Sequence, residues 1–114
     1  MRALVLFVGA CAVTAQVGQA ERDDITARMQ SAQGPIAACY ASTLDPAHPV
    51  QGMMYVAFTT YSTGEFSGVR VTGDELKDPR VERCVVAEVS KLRLAQPTGQ
   101  TFTVSYPIHF SIAK

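Results

Sequence analysis

The sequence predicts an α+β fold of two layers, in which helices pack on one face of a three-stranded antiparallel sheet. Two stretches carry apolar residues at the three-to-four-residue spacing of amphipathic helices, and three others alternate as strands do. Each helical stripe contains one cysteine, Cys39 or Cys84, downstream of what resembles a secretion signal. Because exported proteins fold where thiols are oxidised, we expect a disulfide between these two cysteines.

The first helical stripe starts behind two aspartates, Asp23 and Asp24, which are candidates for the helix N-cap. Gly34-Pro35 interrupts it, because proline removes a backbone donor and its ring collides with the preceding turn. Since the stripe keeps its phase, the sequence predicts either a kinked helix or two abutting helices, ended by Asp45-Pro46. The stripe consists of Ile25, Met29, Ala32, Ile36, Cys39, Tyr40 and Leu44.

The second helix has a clear start. Asp78 can cap the free amides, and Pro79 occupies the first helical position, where a missing N–H costs little. The inward stripe is formed by Val81, Cys84, Val85, Val89 and Leu92.

Three strands are predicted from alternation: residues 52–61, residues 66–72, and a last strand that begins at Gln100 or Thr101 and ends at Phe110. The first two are joined by a tight turn over residues 62–65, with Gly64 at the position that needs a positive φ. The last strand returns after a helix and is placed beside the first, which gives the antiparallel order 2-1-3. Pro107 supports this placement, because proline is tolerated on an edge strand.

The first twenty residues resemble a signal peptide, with Arg2 followed by an apolar run and small residues before Ala20. Cleavage there would leave residues 21–114 as one small domain with two cysteines. The alternative is a lipoprotein signal of residues 1–10, in which Cys11 would become the lipidated first residue. The expected location is the periplasm or, for the lipoprotein, the outer membrane of a Gram-negative bacterium. Contact with a membrane is expected only through such an anchor.

Charge and motifs argue against several functions. Residues 21–114 carry nine basic and ten acidic side chains without clustering, so a nucleic-acid partner is not expected. Cys84 on a helix face beside Val85 lacks an activating environment for a thiol nucleophile, and a disulfide would consume it. His48 lies in a turn and His109 on a strand, with no metal-ligand spacing. The acidic residues before the second helix fit helix-terminus electrostatics better than cation binding. We expect no enzyme activity, metal or cofactor.

An ordered set of short motifs resembles the TonB-like C-terminal domain, and within it the cysteine-containing AgmX/PglI C-terminal subgroup found in gliding-motility-associated proteins. The resemblance covers residues 34–112, and the motifs are Ile36-Ala37-Ala38-Cys39-Tyr40, Leu44, Gly52, Gly64-Glu65-Phe66-Ser67-Gly68-Val69, Leu76-Lys77-Asp78-Pro79-Arg80-Val81-Glu82-Arg83-Cys84-Val85 and Tyr106-Pro107-Ile108-His109-Phe110. Residues 92–97 replace the aromatic-proline stretch of the family, and its usual anchor and long linker are missing. TonB-type energy coupling is therefore not implied.

The function expected from residues and resemblance together is a non-catalytic, exported protein-interaction module, gliding-motility or envelope associated, that binds an envelope protein. Two surfaces are candidates for binding. One is the last strand as an edge, at Thr101, Thr103, Ser105 and His109; the other is the outward sheet face, with Tyr55, Tyr61 and Arg70. The alternative function is a small secreted inhibitor or a structural envelope lipoprotein that binds no added strand. Partner identity and oligomeric state are left open.

Overall fold

The computed structural model describes residues 2–7, 12–13, 19–44, 47, 50–97, 99 and 101–113. The fold is α+β, as predicted. In chain order the elements are β1 (Arg2–Phe7), β2 (Ala12–Val13), α1 (Gln19–Ser31), α2 (Gln33–Thr43), β3 (Gly52–Thr60), β4 (Phe66–Asp74), α3 (Pro79–Val89) and β5 (Phe102–Ala113).

The three predicted strands form an antiparallel sheet in the predicted order, with β3 between β4 and β5. The alternation of β5 is borne out as well. Its even-numbered residues from Phe102 to Phe110 are buried against the helices, whereas the odd-numbered residues are exposed or half-buried on the opposite face. Gly64 has a positive φ of 94° in the turn between β3 and β4, as expected.

The N-terminal segment extends this sheet beyond the three predicted strands. β1 pairs antiparallel with β5 from Ile108 to Ala113, and β2 pairs antiparallel with Val104 and Ser105. β5 therefore lies between β3 and the N-terminal strands in this chain. The sequence predicted a signal peptide over these residues and no strand. An uninterrupted apolar run has no alternation of polar and apolar residues that would distinguish a strand from a signal peptide.

The first helical stripe forms two helices rather than one kinked helix. They meet at Ala32, three residues before Pro35, whose missing N–H falls in the first turn of α2, where no intrahelical partner is required. The proposed caps of α1 were wrong, since the helix begins at Gln19, ahead of both aspartates. Asp24 instead accepts hydrogen bonds from the backbone amides of Ala95 and Gln96, at 3.1 and 2.9 Å, and ties α1 to the segment before β5.

α3 follows its predicted start. The Asp78 side chain accepts a hydrogen bond from the Arg80 amide at 2.9 Å, and Pro79 is the first helical residue. A disulfide joins Cys39 of α2 to Cys84 of α3, with the Cα atoms 5.6 Å apart, which confirms the predicted pair. Between the helices and the sheet lies one apolar core built from both stripes and the inner strand faces, with Ile25, Met29, Ile36, Tyr40, Met54, Val56, Phe58, Val81, Val85, Val89, Val104, Tyr106, Ile108 and Phe110 buried.

Across the part of the chain that the structure describes, no helix combines the length and the apolar character needed to cross a membrane.

Candidate functional site: the outer edge of β5 and the outer sheet face

The direction of the backbone amides in β5 defines which groups face its outer edge, the edge opposite β3. The Ile112 amide donates to Oε1 of Gln51, just before β3, at 2.9 Å, and therefore points toward β3. Successive residues of a strand present their N–H and C=O groups to opposite sides, and the pairing of β5 with β3 runs without a register shift over nine residue pairs. The odd-numbered amides of β5 consequently point to the outer edge.

Pro107 is one of these odd-numbered positions, so the amide that it lacks would have faced the outer edge. Its ring therefore leaves the ladder between β3 and β5 intact, in agreement with the reason for placing this strand at an edge. The pairing of the N-terminal strands is also divided near Pro107. β1 pairs up to Ile108 and β2 pairs with Val104 and Ser105, so the division between them falls beside Pro107.

The predicted edge residues fall into two groups, those that pair with the N-terminal strands and those exposed near the start of β5. Ser105 pairs with Ala12 of β2 and His109 with Leu6 of β1, so both face N-terminal strands in the full chain. Thr101 and Thr103 are exposed at the start of β5. The longer run of pairing, six residues, lies in the C-terminal half of β5.

The outer sheet face brings together some of its predicted residues. Arg70 and Ser105 both pair with Ala57, one from each side, and occupy one row across three strands. Tyr55 lies in the next row, 41% exposed, between Pro107 and Gly73. Its ring lies directly on Gly73, since a Cβ there would come within 3.1 Å of Tyr55 Cδ2.

Tyr61 does not belong to this group. It is 45% exposed, but it lies in the turn after β3, where its amide donates to Glu65 O at 2.9 Å. Six residues of extended chain separate it from Tyr55, a distance of about 20 Å. A ligand that contacts Tyr55 and Arg70 would have to be long to reach Tyr61 as well.

A small pocket of about 100 Å³, which no sequence pattern indicated, lies where α2 ends and α3 begins. Tyr40 lines the pocket, and its hydroxyl donates a hydrogen bond to the carbonyl of Val50. Burial raises the pKa of Tyr40. The rim of the pocket carries Asp78 and Arg80, whose side chains form an ion pair of 3.0 Å. The pocket is lined by Tyr40, Thr43, Leu44, Val50, Leu76, Asp78, Arg80 and Val81.

The acidic residues near α3 form hydrogen bonds with backbone amides and with one another. Asp74 accepts hydrogen bonds from the amides of Leu76 and Asp78, at 2.8 and 3.2 Å. The hydrogen bond between Glu82 and Asp74 raises the pKa of Glu82, with burial as a further cause. The Arg80 side chain lowers the pKa of Asp78. Among the described residues, no group of three or more His, Cys, Asp or Glu side chains is arranged to hold a metal ion.

The remaining predicted positions fall into two groups. Cys39 and Cys84 have no free thiol, because they form the disulfide, so Cys84 cannot act as a nucleophile while the bond is intact. Cys11 and His48 lie outside the described residues, as do Asp45 and Pro46.

Comparison with protein-family models, with curated proteins and with solved structures gives no match. The resemblance to the TonB-like and AgmX/PglI C-terminal domains therefore stays a prediction from the sequence motifs.

Proposed function

We propose that the chain is a non-catalytic, exported protein-interaction module of the bacterial envelope that binds a partner by adding the partner's strand to its sheet. The observation that carries this proposal is the outer edge of β5, where a six-residue segment, Arg2–Phe7, already pairs antiparallel with the strand. Main-chain pairing at such an edge provides affinity, and side chains on the adjoining face provide selectivity.

The outer face adjoins this edge and supports the same function. Ser105 of β5 lies in the row that contains Arg70, His109 lies two rows further along β5, and the exposed ring of Tyr55 lies in the row between. Tyrosine and arginine are enriched at protein interfaces, because each offers a large contact area together with hydrogen-bonding groups. The sequence motifs that resemble the TonB-like domain favour the same class of function.

Site-specific photocrosslinking in the envelope fraction tests the function. A photoreactive residue at Ser105 or His109 should give a discrete adduct, whereas the same residue at Thr72 of β4 should give none. Adducts at all three positions, or at Thr72 alone, would contradict binding at β5. The absence of any adduct would favour the alternative function, an inhibitor or structural lipoprotein without strand addition.

Export is a separate part of the proposal. Intact-mass analysis of the envelope-purified protein should show a chain that begins at Glu21, from which β1, β2 and the first two residues of α1 have been removed. A diacylated or triacylated Cys11 would establish the lipid-anchored form instead. A soluble cytoplasmic chain that retains Met1 would contradict both.

A further inference from the structure

The N-terminal segment of this chain occupies the same backbone groups that a partner strand would need. Ser111 and His109 are odd-numbered, so their N–H and C=O groups point to the outer edge, where they pair with Leu4 and Leu6. An edge offers a single row of donors and acceptors, and one strand satisfies that row. The sequence of residues 2–7, Arg-Ala-Leu-Val-Leu-Phe, shows which kind of segment the edge accepts: extended and almost wholly apolar.

We infer that residues 2–7 and the partner strand compete for the outer edge of β5, so that removal of the N-terminal segment opens the site. This inference rests on the proposed function and adds its regulation and the chemistry of the partner. The partner segment is extended and apolar, runs antiparallel to β5, and takes the positions from Ile108 to Ala113.

Pro107 gives the competition a fixed boundary. Because it presents no N–H to the outer edge, a continuous strand across it would leave one acceptor without its donor. β1 and β2 divide at this position, which leaves six paired residues on one side and two on the other. The C-terminal half of β5 is therefore the main acceptor, and Val104 and Ser105 contribute a shorter second contact.

The backbone of β1 offers a matched set of variants. In the pairs that Leu4 and Leu6 make with β5, the N–H of each points to β5, whereas the N–H of Val5 points away from the sheet. Leu4→Pro or Leu6→Pro should therefore release β1. Val5→Pro introduces the same residue into the same strand without removing a bond to β5, and serves as the control.

The experiment uses the unprocessed full chain with Cys11→Ser, refolded so that Cys39 and Cys84 are oxidised. The first measurement is hydrogen exchange at the amides of His109 and Ser111. The second is binding of a labelled synthetic peptide of residues 2–13, also with serine at position 11. In Leu4→Pro we expect the two amides to lose protection by at least about tenfold and the peptide to bind at least about tenfold more tightly than to the parent chain.

The controls separate the possible failures. Val5→Pro should behave as the parent chain, and Leu6→Pro should reproduce the result if Leu4→Pro does not fold. Equal peptide binding by the parent chain and by Leu4→Pro would overturn the competition. Loss of amide protection in Leu4→Pro without peptide binding would overturn the edge as an acceptor. If competition is seen but photocrosslinking at Ser105 and His109 yields no envelope adduct, the proposed function fails while the competition stands.

Discussion

The outer edges of β4 and β5 lie on opposite sides of the three-stranded sheet and differ in how readily another strand can pair with them. β4 pairs with β3 through two register shifts, and its Gly68 has a φ of 61°. Nη1 of Arg70 donates to the carbonyl of Gly68 at 3.0 Å, and Glu65, the residue before β4, forms a β-bridge with Arg93. β5, by contrast, is twelve residues long and pairs with β3 in unbroken register over nine residue pairs, and Pro107 is the one position where its outer edge lacks an amide.

The two edges differ in the features that hinder pairing with another strand. Bulges, charged side chains and local covers are the means by which sheet edges avoid pairing with other chains, and β4 combines all three. The outer edge of β5 has none of these three features and carries only a proline, Pro107, and in this chain the N-terminal strands pair along it.

The largest effect should come from the disulfide, which holds together the helices that cover both strands. Closure of a loop with a sequence separation of 45 contributes about 4 kcal/mol in the chain-entropy model. A Cys39→Ala/Cys84→Ala double variant should lose about that much free energy of unfolding, measured by urea denaturation. Protection from hydrogen exchange should fall in both β4 and β5. A loss of hydrogen-exchange protection confined to β4 or to β5 would show that the sheet is not one cooperative unit.

Proline scanning of β5 should separate its two sides. Val104→Pro removes an amide that points to β3 and should destabilise the fold by about 3 kcal/mol more than Val104→Ala. Ser105→Pro removes an amide that points to the outer edge, so its cost relative to Ser105→Ala should stay below about 1 kcal/mol. Urea denaturation of the four variants measures both differences. Equal costs at the two positions would contradict the assigned direction of the amides.

A smaller effect should come from the bulge in β4. Gly68→Ala should cost about 1 kcal/mol, because an alanine at a φ of 61° is strained although its Cβ would meet nothing closer than Arg70 Nη1 at 4.0 Å. Gly34→Ala is the control, since it meets nothing within 4 Å on a helix and should stabilise the protein by about 0.5 kcal/mol. If thermal unfolding shows that both substitutions change the stability in the same direction, the backbone strain assigned to β4 is wrong.

The smallest effect concerns Asp74, at the end of β4, and Glu82 of α3. The raised pKa of Glu82 means that the folded state holds this proton more tightly than the unfolded state, so the stabilisation is present at low pH and lost as the pH rises through the raised pKa. Glu82→Gln should therefore stabilise the protein at neutral pH by less than about 1 kcal/mol, and the gain should vanish in acid.

Asp78→Asn is the control with the opposite sign. The pKa of Asp78 is lowered, so its contribution is present above the ordinary aspartate pKa and is lost as the pH falls. Urea denaturation over a pH series measures both variants. A gain from Glu82→Gln that is independent of pH would contradict the shared proton.

Much of this fold could be predicted from local sequence patterns. The helical stripes and the three strands follow from local periodicity, the strand order follows from the helical connection and Pro107, and the disulfide follows from two cysteines on the two helical stripes. The bulges of β4 were not predictable, because Gly68 has no side chain to mark which face it occupies. Asp24 resembled a cap, while the amides that it binds lie 71 and 72 residues away. Residues 2–7 have the composition of a leader and of a buried strand alike, so periodicity could not distinguish them.

An NMR titration of the Leu4→Pro chain with the peptide of residues 2–13 tests most directly whether the two edges differ. We expect the amide signals of Ser105, His109 and Ser111 to shift as the peptide is added, while those of β4 from Phe66 to Asp74 stay unchanged. Shifts along β4, or an unchanged outer edge of β5 when the peptide is bound, would contradict this expectation.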